Sequence, residues 1–570
     1  MSVGNGALLG RKTMINTQQQ YNVLFVNPPS LPYTSLAGSL MDKNLPIVQV
    51  IAMPMGTLYL SSVLEEKLPN CNIRILDLAK SVREYGTSEE RTNINIDDYI
   101  SQEIQKISND GFVPDFVGIS VLFSTAHKTA GAIANSLKRI WPDSPIIVGG
   151  MHATNAVKKL LAIESIDYVC RGEGESIIAE FAHHAKNGAD PEDVVGVIGR
   201  KKQAKSEDQG GEVVELAPMI DDLDEIPFPA WHLLDMPKYI GFDGRARNLE
   251  QIEHDKAATI VTTRGCPFRC TFCSSFTVHG RKMRVRSKKN VIQELGILHE
   301  KYGVTMVIPE DDLFTVQEKR IVELCDAIAE NFRGKIKFQF PNGLSVATLS
   351  DRVIEAFLQL DVNIVNVAIE SGSFRVQREV IKKNCNLDKA VRVVTAFREA
   401  GPIVRTYFIL GFPGETRDEM IETLDFAYNL PADWCNFGVA APLIGTEMYE
   451  QLIDRGNIDE SFNWDKAFFQ ERTFDTEEIS AKELKNLVGL ANLRINFFGN
   501  YNLRHGAYDR AITLFKEVVA SHPGHLAGAY CIAIAYKKKG DEKQYQLWVD
   551  KCIAIIKGEN NGMAVRHLHT

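Results

Sequence analysis

Three cysteines stand in one short run, Cys266-Pro-Phe-Arg-Cys270-Thr-Phe-Cys273. Spaced three and then two residues apart, they can turn three thiolates toward one centre, and such groups select zinc or iron–sulfur. Structural zinc takes four ligands, and no ligand follows at finger spacing; the next histidines are His279 and His299. A cubane 4Fe–4S cluster on three cysteines instead keeps one iron open to a small molecule. Cys71, Cys170, Cys325, Cys385, Cys435, Cys531 and Cys552 read as buried apolar side chains.

The rest of the chain bounds where this chemistry can sit. With 570 residues it predicts about three or four units. Hydrophobic residues make up 45% and charged residues 24%, which excludes a disordered or disulfide-scaffold protein. The formal net charge of −9 gives no general attraction to phosphate backbones, so nucleic acid is not an expected partner. The first 20 residues lack the apolar core of a signal peptide and read as a loose tail. Leu45 to Leu64 carries no charge, but Pro46, Pro54 and Gly56 divide it into a loop and a helix from near Pro54, not a membrane span.

The cysteine run must be positioned by α/β architecture. Apolar strands at Asn22–Asn27, Asn72–Leu76, Phe116–Leu122, Pro145–Val148 and Asp167–Cys170 alternate with helical stretches, predicting a Rossmann-like parallel sheet covered on both faces over residues 21–190. Its strand ends carry Ser120, Gly149 and Gly150, a rim of the kind that binds ligands. Residues 191–250 read as an acidic, proline-punctuated linker that packs by its aromatics. Over 251–470, strands at Ala258–Thr263, Met306–Pro309, Lys337–Phe340, Ile364–Val367, Thr406–Leu410 and Asn436–Ala440 predict a partial (β/α)6 barrel, with its chemistry where strands end. Residues 471–570 read as a helical region holding one tetratricopeptide-like unit, a cap on the barrel or a partner- or substrate-docking surface.

Cys-x3-Cys-x2-Cys, with aromatic Phe272 before its last cysteine, resembles the radical S-adenosylmethionine (SAM) superfamily. Further segments resemble the family in order along the barrel. Ile308-Pro-Glu-Asp-Asp312 falls where the family meets the amino group of SAM, leaving Glu310, Asp311 and Asp312 as alternatives because the commoner Gly-Gly-Glu is absent. Ala368-Ile-Glu370-Ser371-Gly372 falls where ribose or methionine groups are held, Arg405 is a candidate for the methionine carboxylate, and Gly411 opens the element beside the adenine. The α/β block before the barrel, the linker Asp222-Leu-Asp-Glu-Ile-Pro-Phe-Pro229 and Arg171-Gly-Glu-Gly-Glu175 resemble the cobalamin (vitamin B12)-binding subclass, which includes the class B methyltransferases and the anaerobic magnesium-protoporphyrin monomethyl ester cyclase. There Ser120, Gly149 and Gly150 match the cradle of the cobalamin nucleotide tail. Asp-x-His-x-x-Gly is absent and the first histidine is His127, so the lower cobalt face is left to a non-histidine group or water.

The resemblance implies three cofactors: a 4Fe–4S cluster on Cys266, Cys270 and Cys273, SAM, and cobalamin. It implies reductive cleavage of SAM to a 5′-deoxyadenosyl radical and methylation, through methylcobalamin, of an unactivated carbon in a small-molecule, natural-product or lipid substrate. The alternatives are a non-methylating cyclase or ring-forming enzyme and a non-catalytic cobalamin and iron–sulfur sensor. A low-potential donor of the flavodoxin or ferredoxin type and a cytoplasmic setting follow from the same resemblance. The basic run Arg281–Lys289 is read as barrel packing or anion contact, not RNA binding.

Overall fold

The computed structural model describes residues 20–49, 51–208, 215–241, 255–466 and 471–558. The expected N-terminal tail and the later part of the expected linker lie outside the described residues.

The first sheet contains β1 (Tyr21–Asn27), β2 (Cys71–Asp77), β3 (Phe116–Ser120), β4 (Ile146–Gly149), β5 (Tyr168–Cys170) and β6 (Val197–Gly199). Its order is β2-β1-β3-β4-β5-β6, parallel except for β6. Alternate strand residues serve two helical layers. Leu24, Val26, Val117, Ile119 and Val148 pack on one side, and Tyr21, Val23, Phe25, Phe116 and Ile147 on the other. This double burial explains the near-continuous apolar strands. The order reverses between β1 and β3, a topological switch point whose rim is where open α/β sheets take ligands. The edge strand β6 falls inside the stretch expected to be linker; at three residues it is too short to carry a periodic signal. The uncharged stretch resolves as expected, with a helix over Met55–Lys67. Among the described residues no helix is long and apolar enough to cross a membrane.

The second unit begins with β7 (Ala257–Ile260), followed by β8 (Thr263–Arg264), which pairs antiparallel with β9 (Arg284–Val285). Then come β10 (Met306–Pro309), β11 (Lys337–Phe338), β12 (Leu344–Ser345), β13 (Ile364–Glu370), β14 (Ile403–Leu410) and β15 (Trp434–Val439). The parallel runs β11-β10-β7 and β12-β13-β14-β15 make the two halves of a partial barrel. Its third strand breaks between β11 and β12, where the Asn366 side chain donates to the Phe340 carbonyl at 3.0 Å. The first strand stops at Ile260, short of the expected Thr263, because the Thr262 and Thr263 amides turn away to the Asp311 carboxylate.

The C-terminal region docks at the amino ends of the barrel strands. Asp433, fully buried just before β15, accepts from Arg398 at 2.8 Å, Arg510 at 2.5 Å, Asn502 at 2.9 Å and the Val404 amide at 2.7 Å. Helices Tyr508–Ser521 and Leu526–Lys539 then pair around Phe515, Ile532 and Ala529 in a helical hairpin. Removing one partner of a buried charge network typically costs about 3–5 kcal/mol. Both arginines keep partial exposure, so Asp433→Ala should cost near the low end, about 3 kcal/mol. A urea titration should show an earlier loss of helical signal.

Candidate functional site

The cysteine loop leaves the carboxyl side of β7 and is clamped at each end. Asp311 takes the Thr263 amide at 2.7 Å and the Thr262 hydroxyl at 2.6 Å. Burial pushes this carboxyl up to about 6, against the pull of those donors. Asp312 takes the Gly265 amide at 2.8 Å before the first cysteine and the Ser275 hydroxyl at 2.6 Å after the last. In the middle, Thr271 donates to Ile381 O from its amide at 3.0 Å and to Val380 O from its hydroxyl at 2.9 Å. The Phe272 ring packs on Phe412 with centroids 5.5 Å apart. Cys266, Cys270 and Cys273 are half-buried, in no disulfide, and close enough to feel one another's charge. Burial raises all three thiols, Cys270 up to about 12. Metal coordination is what relieves such a site of its protons. Among the described residues no three His, Cys, Asp or Glu side chains stand at the spacing of a single ion. Ligands to three separate irons of a cubane stand further apart than that.

Of the three acidic alternatives after β10, Asp311 and Asp312 are thus committed to the cysteine loop. Glu310 lies at the strand end and receives the Asn342 side chain at 3.2 Å. At the end of β13, the buried Glu370 accepts from Lys383 Nζ at 2.7 Å. Ser371 does not join this rim; its hydroxyl turns to Thr423 at 3.0 Å and accepts the Ser373 amide at 3.1 Å. Arg405 is not at the rim either. It lies five residues before the carboxyl end of β14 and pairs with Glu517 of the C-terminal hairpin at 3.2 Å. Gly411 takes φ 81°, and a Cβ there would fall 2.6 Å from Leu484. Its amide donates to Glu415 at 2.7 Å and its carbonyl accepts from Arg472 at 3.0 Å. Lys383, Asn342 and Asn155 (below) were not picked out by sequence; their partners are distant in the chain, and only a Lys-Lys-Asn-Cys turn after Glu370 hinted at the first.

On the facing domain, Ser120 and Gly149 are register partners at the ends of β3 and β4. Gly150 has φ 102°, with no room for a Cβ, which would lie 2.6 Å from the Val121 carbonyl. Beside them His152 bonds Ser124 at 3.0 Å and His127 at 2.9 Å. Burial lowers both imidazoles, to about 3 and about 4.

The two rims are joined by the loop after β5. Glu173 accepts from Arg284 at 2.8 Å and contacts His279 at 2.8 Å, while Glu175 accepts from Arg264 at 2.6 Å. Arg264 stands two residues before Cys266 and its guanidinium lies 5.5 Å from the Tyr59 ring. Burial alone would raise the Glu173 carboxyl, but Arg284, His279 and Arg264 hold it well below the usual carboxylate range. Asn155 adds a bond to Thr277 at 2.8 Å, and Ser274 one to the Met151 sulfur at 3.0 Å. After the barrel, the chain returns to the first domain: Trp464 meets the His152 ring edge-on at 5.9 Å, and Asp465 pairs with Lys128 at 3.2 Å. Two arginines of the basic run are internal, Arg284 on Glu173 and Arg286 on Glu294, each at 2.5 Å, while Lys282, Lys288 and Lys289 face solvent.

Glu173→Ala should raise deuterium uptake across residues 263–275 while leaving the C-terminal hairpin unchanged. The native Glu173 value is depressed, so its contribution is present above the unfolded value and lost only as pH falls through the native one. Asp311, raised to about 6, titrates in this window, so the Glu173 contribution is read as a difference: the gap in uptake between wild type and Glu173→Ala should not change between about pH 7 and about pH 5.

The B12 binding domain model matches residues 48–182, and the radical SAM superfamily model matches 260–427. Cytidylyl-2-hydroxyethylphosphonate methyltransferase of Streptomyces wedmorensis is 27% identical, over 88% of this chain and 93% of its own. The anaerobic magnesium-protoporphyrin IX monomethyl ester cyclase of Rubrivivax gelatinosus is 24% identical, over 72% of this chain and 69% of its own. The solved structure of the cobalamin-dependent radical SAM enzyme OxsB, with aqua-cobalamin and SAM bound, superposes with TM-score 0.61 at 16% identity, covering 97% of this chain and 83% of that one. The methyltransferase TsrM from Kitasatospora setae, with cobalamin and a [4Fe-4S] cluster bound, gives 0.56 at 17% identity, covering 76% and 75%. Carrying both domains in this order, with the cysteine loop clamped between them, the protein belongs to the cobalamin-binding-domain branch of the radical SAM superfamily.

Proposed function

We propose that this enzyme cleaves SAM reductively and methylates an unactivated carbon of a small molecule or lipid, using cobalamin as methyl carrier. The observation that carries this reading is the clamp of Glu173 and Glu175 on Arg284 and Arg264, which turns the rim of the first domain onto the cysteine loop. Methyl transfer between two cofactors needs them held nearly in contact, and a fixed interface supplies that orientation. When bound, the cluster and SAM supply a carbon-centred radical chemistry and cobalamin supplies the methyl group.

The chain's own residues divide the remaining work. Cys266, Cys270 and Cys273 would hold the cluster, with their protons displaced on assembly. Glu310, at the strand end beside Asn342, suits the ammonium of SAM by charge. Glu370 and the Gly411 turn supply polar and backbone surface on the opposite side of the same mouth. Ser120, Gly149 and Gly150 leave the rim of the first domain narrow-sided, which suits close approach of a bulky nucleotide tail. Arg405 and Ser371 are positioning residues within the barrel in this reading, not cofactor contacts. A flavodoxin- or ferredoxin-type donor and an oxygen-poor cytoplasm suit a low-potential cluster, and the C-terminal hairpin is a candidate protein contact as well as a cap.

Substrates of the relatives include a phosphonate conjugate and, by its name, a hopanoid. They support a small-molecule or lipid acceptor here. The test is anaerobic. Protein rebuilt with iron, sulfide and cobalamin is given SAM, a strong reductant and fractionated cell extract. 5′-Deoxyadenosine and S-adenosylhomocysteine are then quantified together. Both should rise, and Cys270→Ala should abolish both, a loss of at least about a hundredfold for a required cofactor ligand. Deoxyadenosine rising alone would favour the non-methylating reading that the cyclase relatives represent. Neither product rising would contradict an enzyme of this kind.

A further inference from the structure

One buried ion pair beside the cysteine loop is held by several bonds. Lys383 Nζ lies 2.7 Å from Glu370 Oε1, with side-chain exposures of 12% and 9%. Both residues are fixed by Gln377, whose side-chain amide donates to the carbonyls on either side of Glu370, Ile369 at 2.7 Å and Ser371 at 2.6 Å. Its oxygen accepts the Cys385 amide at 3.3 Å, two residues past Lys383. The turn carrying Lys383 is stitched to the cysteine loop by the Thr271 bonds to Val380 and Ile381. Among the described residues five non-glycines have positive φ: one is Glu370 itself at 73°, and two flank Lys383, Lys382 at 51° and Asn384 at 56°. Such backbone strain persists only where the surroundings over-determine it. The Lys383 charge reaches Cys270, and so does that of Glu370.

We propose that the Lys383–Glu370 pair sets the reduction potential of the cluster on this loop, Lys383 favouring the reduced state and Glu370 opposing it. The inference rests on the cluster assignment made above. One-electron reduction, by dithionite or a low-potential protein donor, adds one negative charge to the cluster. A buried cation stabilises that added charge and a buried carboxylate destabilises it, and the low dielectric keeps both effects strong. Asp312, bonded to Gly265 and Ser275, and Arg281, bonded to the Phe268 carbonyl, also bear on the cysteines, but neither is altered in the variants below, so a difference between those variants reports on this pair.

The test is an EPR-monitored potentiometric titration of the reconstituted protein. Glu370→Gln should be more positive than Lys383→Met, with wild type between them, and Lys383→Arg should stay at the wild-type value. Disturbance of the loop alone would move both variants the same way. Coincident potentials, or the reverse order, would overturn the proposal. If Lys383→Met takes up no cluster, Glu370→Gln against wild type decides, and equal potentials overturn it. Iron and sulfide content separates the two levels of the argument: a wild-type content no higher than that of the triple Cys→Ala variant would sink the cluster assignment itself, whereas a loaded cluster with unmoved potentials sinks only this inference.

Discussion

The arrangement depends on two carboxylates of one domain being buried against arginines of the other. Glu173 and Glu175 leave the sheet of the first domain on a short loop after β5 and meet Arg284, His279 and Arg264 at the base of the cysteine loop. Taking such charges out of water costs several kcal/mol per ion, which only close, well-formed pairing offsets. The interface therefore tolerates little displacement. Its worth lies in geometry: it fixes which rim of the first domain faces which loop of the barrel, with Asn155, Met151 and Trp464 adding further points of attachment.

Within the barrel the same economy recurs around the cysteines. Asp311 and Asp312 hold the two ends of the loop, Thr271 holds its middle to the turn after β13, and Phe272 rests on Phe412 after β14. Three strand ends thus converge on one eight-residue run. A loop carrying three thiols has no core of its own and would otherwise pay the full entropy of ordering. The distal end is treated differently. There Asp433 gathers Arg398, Arg510 and Asn502 so that the C-terminal hairpin closes the bottom of the barrel, and Glu517 takes up Arg405. The cysteine loop lies at one end of the barrel, and the Asp433 network with the C-terminal hairpin lies at the other.

Much of this was legible in the sequence because the signals were local. The cysteine spacing, the apolar strands of both sheets and the helix after Pro54 each depend on neighbours within a few residues. What sequence could not resolve depended on long-range partners. Glu310, Asp311 and Asp312 are adjacent and chemically alike, and only the positions of Thr262, Gly265 and Asn342 separate their tasks. Arg405 has the right side chain for a carboxylate but sits low on β14, a matter of strand register that its residue type does not encode. Glu173 and Glu175 matched a family pattern without revealing that they bind the neighbouring domain. Lys383 matched no family motif, and its Lys-Lys-Asn-Cys turn was only a faint signal; the carboxylate and the thiol near it are brought there by folding.

With the two domains locked by Glu173 and Glu175, cobalamin and the cluster would share one mouth. The most direct measurement is the spin relaxation of cob(II)alamin in the loaded protein, compared before and after reduction of the cluster. Two paramagnets held within one cavity should relax each other, so reduction should markedly shorten the cob(II)alamin relaxation time, and Glu173→Ala should weaken the effect. A cob(II)alamin signal that relaxes identically whether or not the cluster is reduced would contradict the shared site.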